Sequence, residues 1–216
     1  MTAVYRVVLA ALVAGAIAGL VAAAIQSVTT WPLIRAAETY EAPRSHEHDA
    51  EVDAPPAVAL TVLTDVLAGV GYALLLAGGI ALSGVRVDAA LGALWGLAGF
   101  AAFSLAPALG LPPEPPGAAE GDLAARQLWW ALTAASTAAG LWLIAFRRNW
   151  IATGAAVALI VVPHIVGAPA PEGASTVPPD LARKFVVAAL GSSAAFWLVL
   201  GVATGWVFNR LLPRQL

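Results

Sequence analysis

Six apolar runs, each about as long as a bilayer is thick, leave this chain little choice of fold. A helix rises 1.5 Å per residue, so about 20 apolar residues cross a hydrocarbon core of about 30 Å. Within that core every backbone polar group must be satisfied inside the segment, which a helix does. The runs predict helices over about 7–28, 57–82, 89–109, 123–146, 150–166 and 181–208. The fifth sits near the lower spanning limit of about 17 residues. The expected architecture is all-α: one polytopic transmembrane domain over 1–216, a bundle of six transmembrane helices with Pro-rich outer loops. The lipid bilayer is its first partner.

Composition supports this reading, with 60% hydrophobic and only 11% charged residues, against about 25% charged in a soluble domain. The first run follows Arg6, and Ala22-Ala23-Ala24 imitates a signal-peptidase site. A signal core is usually about 7–15 residues, and this run is longer, so it is expected to be a retained helix. There is no cysteine, which removes disulfides and thiolate ligation. Any metal site must then use imidazole, carboxylate, carbonyl or water, a donor set for Co, Ni, Zn, Mn, Mg or Ca. With Lys184 as the one lysine, no G-x-x-x-x-G-K-[ST] phosphate loop exists. Nothing in the chain suggests binding of nucleic acid, and no cofactor is expected.

Residues 35–56 form the one long polar segment, with His46-Glu47-His48-Asp49 at its centre and Pro55-Pro56 at its end. It reads either as a solvated acidic linker or as a weak cation-collecting arm in which His46 and His48 ligate beside carboxylates. Asp65 lies two turns inside the second run, an intramembrane ionisable group suited to an ion path or to a bond with Thr61 or Thr64. Gly15-x-x-x-Gly19, Gly92-x-x-x-Gly96 and Gly201-x-x-x-Gly205 permit close helix contact. The tandem Trp129-Trp130 reads as an interface anchor. Two exits are proline-rich, Gly110 to Gly117 and Pro169 to Pro179, so the second-third and fourth-fifth helix pairs resemble a duplicated hairpin.

The chemistry concentrates at Val161-Val162-Pro163-His164-Ile165-Val166-Gly167-Ala168-Pro169. His164 is the only histidine in an apolar run, and an ionisable group at membrane depth is a functional hypothesis by default. Pro163 has no N–H and displaces the carbonyl of Leu159, so one turn offers an imidazole and a loosened carbonyl oxygen. The plainer reading makes His164 an interfacial residue bonded to a neighbouring helix.

Charge sets the expected orientation. With both termini cytoplasmic, Arg6, Arg86, Arg147, Arg148, Arg210 and Arg214 lie inside, most of them in short loops where the positive-inside rule applies best. The helix ends facing outward then carry Glu38 and Glu41, Glu114 and Glu172, an electronegative vestibule with His164 at its floor.

The stretches Trp31 to Glu41, Gly96 to Gly117, Arg126-Gln127-Leu128-Trp129-Trp130 and Pro163 to Pro169 resemble the CbtA family over nearly the whole chain. The resemblance implies a cobalt transporter subunit of a bacterial cytoplasmic (inner) membrane, serving cobalamin biosynthesis. It also implies a small CbtB partner with one membrane helix and a histidine-rich end. Its motif residues here are Glu38, Glu41, Glu114, Arg126, Gln127 and His164.

The expected function is therefore a permease subunit for Co²⁺, which is cargo rather than cofactor. The expected metal ligands are His164, Glu114, Glu38, Glu41, His46 and His48, with Asp65, Arg126 and Gln127 along the ion path. Homo-oligomers are left open. The alternative is a metal-binding accessory or sensor that does not conduct. An intramembrane enzyme using His164 with Asp65 or Glu114 is disfavoured, since no nucleophile motif and no H-E-x-x-H accompany the histidine.

Overall fold

A computed structural model describes residues 3–41, 55–119 and 121–211, and among these it is helical with no strand. The helices are α1 (Ala3–Val28), α2 (Thr30–Glu38), α3 (Pro55–Ser83), α4 (Ala89–Phe100), α5 (Ala106–Ala108), α6 (Leu123–Phe146), α7 (Trp150–Val166) and α8 (Pro179–Leu211). A π-helical turn, Ala101–Leu105, joins α4 to α5. Five stretches are long and apolar enough to cross a membrane: Val4–Val28, Val58–Ser83, Ala89–Ala108, Leu123–Phe146 and Pro179–Arg210. The apolar helix α7, at 17 residues, is shorter.

Two elements depart from the expected pattern, and a proline accounts for each. The polar segment expected from residue 35 begins later, because α2 carries helix to Glu38 and buries Thr30 and Ala37. Pro32 cannot donate to the carbonyl of Val28, where α1 ends, so the chain breaks at Thr29 and restarts. The third run was expected as one helix to residue 109. Pro107 cannot serve the carbonyl of Phe103, and the helix widens ahead of it, with the Ala106 N–H reaching back five residues to the Ala101 carbonyl.

The chain groups into two compact units, each drawn from separated segments. The first comprises residues 1–29, 43–97 and 191–216. In it α1 packs along α3 backbone to backbone. A Cβ at Gly15 would lie 2.5 Å from Val70 Cα, and one at Gly19 would lie 2.5 Å from the Asp65 carbonyl oxygen. Gly92 and Gly96 of α4 meet Gly201 and Gly205 of α8 in the same way. All three Gly-x-x-x-Gly motifs are thus used for close helix contact, where dispersion between backbones replaces the hydrophobic drive that lipid removes. The Tyr72 ring stands edge-on to Trp197 at 5.0 Å, and the hydroxyls of Thr29 and Ser192 meet at 3.1 Å.

The second unit comprises residues 30–42 and 98–190. Its centre is the hairpin of α6 and α7. Asp122 caps α6 by accepting from the N–H groups of Ala124 and Ala125, and Asn149 caps α7 by accepting from Ala152. Each oxygen satisfies donors that a helix start leaves orphaned. At the far end of α7, Gly167 takes φ +86°, a conformation glycine adopts without strain, and its N–H closes on the Pro163 carbonyl at 3.0 Å. The two proline-rich exits are tied together where the Thr176 N–H and hydroxyl both donate to the Gly117 carbonyl.

Candidate functional site

The site is built where the N-terminal end of α6 lies beside the C-terminal end of α7. Trp129, on the second turn of α6, is 8% exposed, and its indole N–H donates to the Pro163 carbonyl at 3.2 Å. The indole also stands edge-on to the His164 imidazole, with centroids 5.9 Å apart at 70°. Trp129 was expected to be an interface anchor; packing makes it the wall of the histidine site instead. Trp130 points elsewhere, its ring 6.4 Å from that of Phe103. Gly110 makes room for the indole, since a Cβ there would lie 2.8 Å from Trp129 Cζ2.

His164 Nε2 is buried and has no hydrogen-bond partner. The imidazole is therefore not the interfacial residue bonded to a neighbouring helix at that nitrogen. A buried polar atom left unpaired costs about 1–3 kcal/mol, which is a reason to look for a ligand. The Pro163 carbonyl accepts from both Trp129 and Gly167. Trp129 is six positions after Leu123, so it lies roughly 9 Å along α6 from the helix start.

Above it, Arg126 pairs with Glu114 at 2.5 Å, the side chains being 17% and 34% exposed. Arg126 is one turn before Trp129 on the same helix face, and Glu114 neutralises its charge. Glu41 lies against the same loop, its Cγ 3.5 Å from where a Gly117 Cβ would be. Glu38 is half-buried on α2, and Gln127 is exposed. Among the described residues no group of three or more His, Asp or Glu side chains could hold a metal ion. Glu41 and Glu114 are thus brought to one loop, while His164 stands apart from any carboxylate cage. His46 and His48 lie outside the described residues.

Asp65 belongs to the first unit. Gln26 of α1 hydrogen-bonds its carboxylate, and its Oδ2 is buried without a partner. The Thr64 hydroxyl, one of its two expected partners, turns instead to the Leu60 carbonyl at 2.9 Å.

Two features escaped the sequence reading. One is the role of Trp129. The other is a pair of buried hydroxyls, Thr133 and Thr137, on the same face of α6. The spacing Arg126, Trp129, Thr133, Thr137 repeats every three or four residues, a signal that one face of α6 is polar within an apolar helix.

No curated protein and no solved structure matches the chain. The sequence model of one family, described as probable cobalt transporter subunit (CbtA), matches residues 4–209. A polar site set into apolar helices agrees with that description, and the match extends over nearly the whole chain: it belongs to the CbtA family of cobalt transporter subunits.

Proposed function

We propose that the chain is the permease subunit for Co²⁺ uptake in a bacterial inner membrane, supplying cobalamin biosynthesis together with a small histidine-rich, single-helix CbtB-type partner. It crosses six times, α7 included, with both termini in the cytoplasm. The observation that carries the reading is the buried, unpaired Nε2 of His164 at the end of a span. An imidazole lone pair is a good donor to Co²⁺, and weaker generic binding of Co²⁺ than of Ni²⁺ or Cu²⁺ suits a site that must release its ion. The α7 C-terminus adds a negative dipole end, while Asp122 offsets the positive end of α6 beside it.

Within this reading the ion collects near Glu41 and Glu114, passes the neutralised Arg126, and exchanges a water for the His164 nitrogen. Glu38 and the loop histidines His46 and His48 raise the local cation concentration without selecting. Arg126 and Gln127 line the route as polar groups, and Asp65 is a polar group of the first unit that also serves ion passage. Few fixed ligands on the protein fit transport better than a closed cage, because a full cage would not let go.

Uptake of labelled Co²⁺ into sealed vesicles holding this chain alone, then with its partner, tests the proposal. Accumulation that His164→Gln reduces to background supports it. Binding without accumulation under both conditions would make the chain a non-conducting accessory.

A further inference from the structure

Five side-chain polar atoms among the described residues are buried without a hydrogen-bond partner. Three of them belong to the α6–α7 hairpin: His164 Nε2, Thr133 Oγ1 and Thr137 Oγ1. At 3.6 residues per turn, Trp129, Thr133, Thr137 and Gly140 fall within an arc of about 80° on α6. The two ends of that stretch along the axis are fixed on α7. Trp129 bonds the Pro163 carbonyl, and a Cβ at Gly140 would lie 2.8 Å from Ile160 Cγ1 and 2.9 Å from the Ala156 carbonyl oxygen. Along the helix axis the two threonines lie between those contacts, roughly 6 and 12 Å from Trp129.

Threonine in a helix ordinarily returns its hydroxyl to the carbonyl four residues back. Thr29, Thr64 and Thr153 of this chain do so, at 2.7, 2.9 and 3.1 Å. Thr133 and Thr137, 0% and 3% exposed, do not. Their hydroxyls are left without the partner that their own helix could supply. Buried polar atoms of this kind are met by water molecules with two to four polar partners each.

We propose that Thr133 and Thr137 line a hydrated track that continues from His164 into the hairpin and carries a divalent cation with water still bound. The proposal rests on the reading of His164 as the ion's site. A hydroxyl is a poor direct ligand but donates to and accepts from water. The track holds the ion's remaining hydration shell by hydrogen bonds and holds the ion itself only weakly, so the ion moves on.

The chain has no cysteine, so Thr133→Cys and Thr137→Cys each introduce a single thiol. Ala134→Cys is the control, since Ala134 is 2% exposed on another face of α6. Thiols react as thiolates, which water supports and a dry interior does not. The full chain in proteoliposomes is treated with a small cationic methanethiosulfonate reagent, with and without Co²⁺. The expected result is reaction at positions 133 and 137 at least about tenfold faster than at 134, slowed severalfold by Co²⁺. Rates equal to the control at both positions overturn the track, and fast rates that Co²⁺ leaves unchanged overturn its role in carrying the ion. Repeating the assay in a His164→Gln background separates the two readings. Protection by Co²⁺ that persists there removes His164 as the entry site while leaving the track in place. Thr133→Val with Thr137→Val gives a second check: Co²⁺ uptake falls at least about tenfold while binding at His164 changes by less than threefold, a split that a merely misfolded variant would not show.

Discussion

A lone imidazole nitrogen at membrane depth is expensive, and its neighbours show how it is kept. Trp129 and Gly167 both donate to the Pro163 carbonyl, which holds the last turn of α7 and fixes the ring against the indole. Trp129→Phe keeps most of the wall but removes one donor to an oxygen that still has another. The expected loss of stability is about 1 kcal/mol, measured by thermal unfolding in detergent, with Co²⁺ affinity reduced a fewfold. The Glu114–Arg126 pair works differently. Partly exposed ion pairs contribute little to stability, so under the proposed function its value lies in cancelling a positive charge over the cation's path. Glu114→Gln should leave folding unchanged within about 0.5 kcal/mol and raise the half-saturating Co²⁺ concentration roughly tenfold. Added salt should narrow that difference, since it screens the partly exposed guanidinium. A variant that takes up Co²⁺ like the parent chain at low salt would remove Glu114 from the path.

At the scale of helices, close approach through glycine decides the packing. Gly201 meets Gly92 and Gly96 with its Cα facing backbone atoms, which cannot move aside as a flexible side chain can. Gly201→Val should therefore separate α4 from α8 and destabilise the first unit by about 1–3 kcal/mol or more, read as a lowered unfolding midpoint. Gly71→Ala, where a Cβ meets nothing within 4 Å, is the control and should be silent. The apolar helices and these glycine motifs were legible in the sequence because both are set by local composition and spacing. The break at Pro32 and the π turn before Pro107 were not, since a proline states only that one bond is missing and packing chooses how the helix responds. Likewise His164 stood out as an ionisable residue in an apolar run. Trp129, Thr133 and Thr137 did not, because tryptophan near a span's mouth and threonine inside a span are both ordinary until a second helix gives them a face.

For the whole molecule, orientation and ion chemistry form one claim: cations enter at the face bearing the proline exits. Ala118→Cys should react with an impermeant thiol reagent in intact cells, and Asn149→Cys, in the turn after Arg147 and Arg148, should react only after permeabilisation. The reverse pattern would invert the topology. The central claim is that His164 binds the ion directly, and X-ray absorption at the cobalt K-edge tests it. The sample is the purified full chain with His46→Ala and His48→Ala, so that His164 is its one remaining histidine. The account predicts an oxygen-dominated shell containing a single imidazole, whose multiple-scattering signature disappears in His164→Gln. A bound cobalt whose spectrum shows no imidazole, or keeps the same spectrum in His164→Gln, would contradict it.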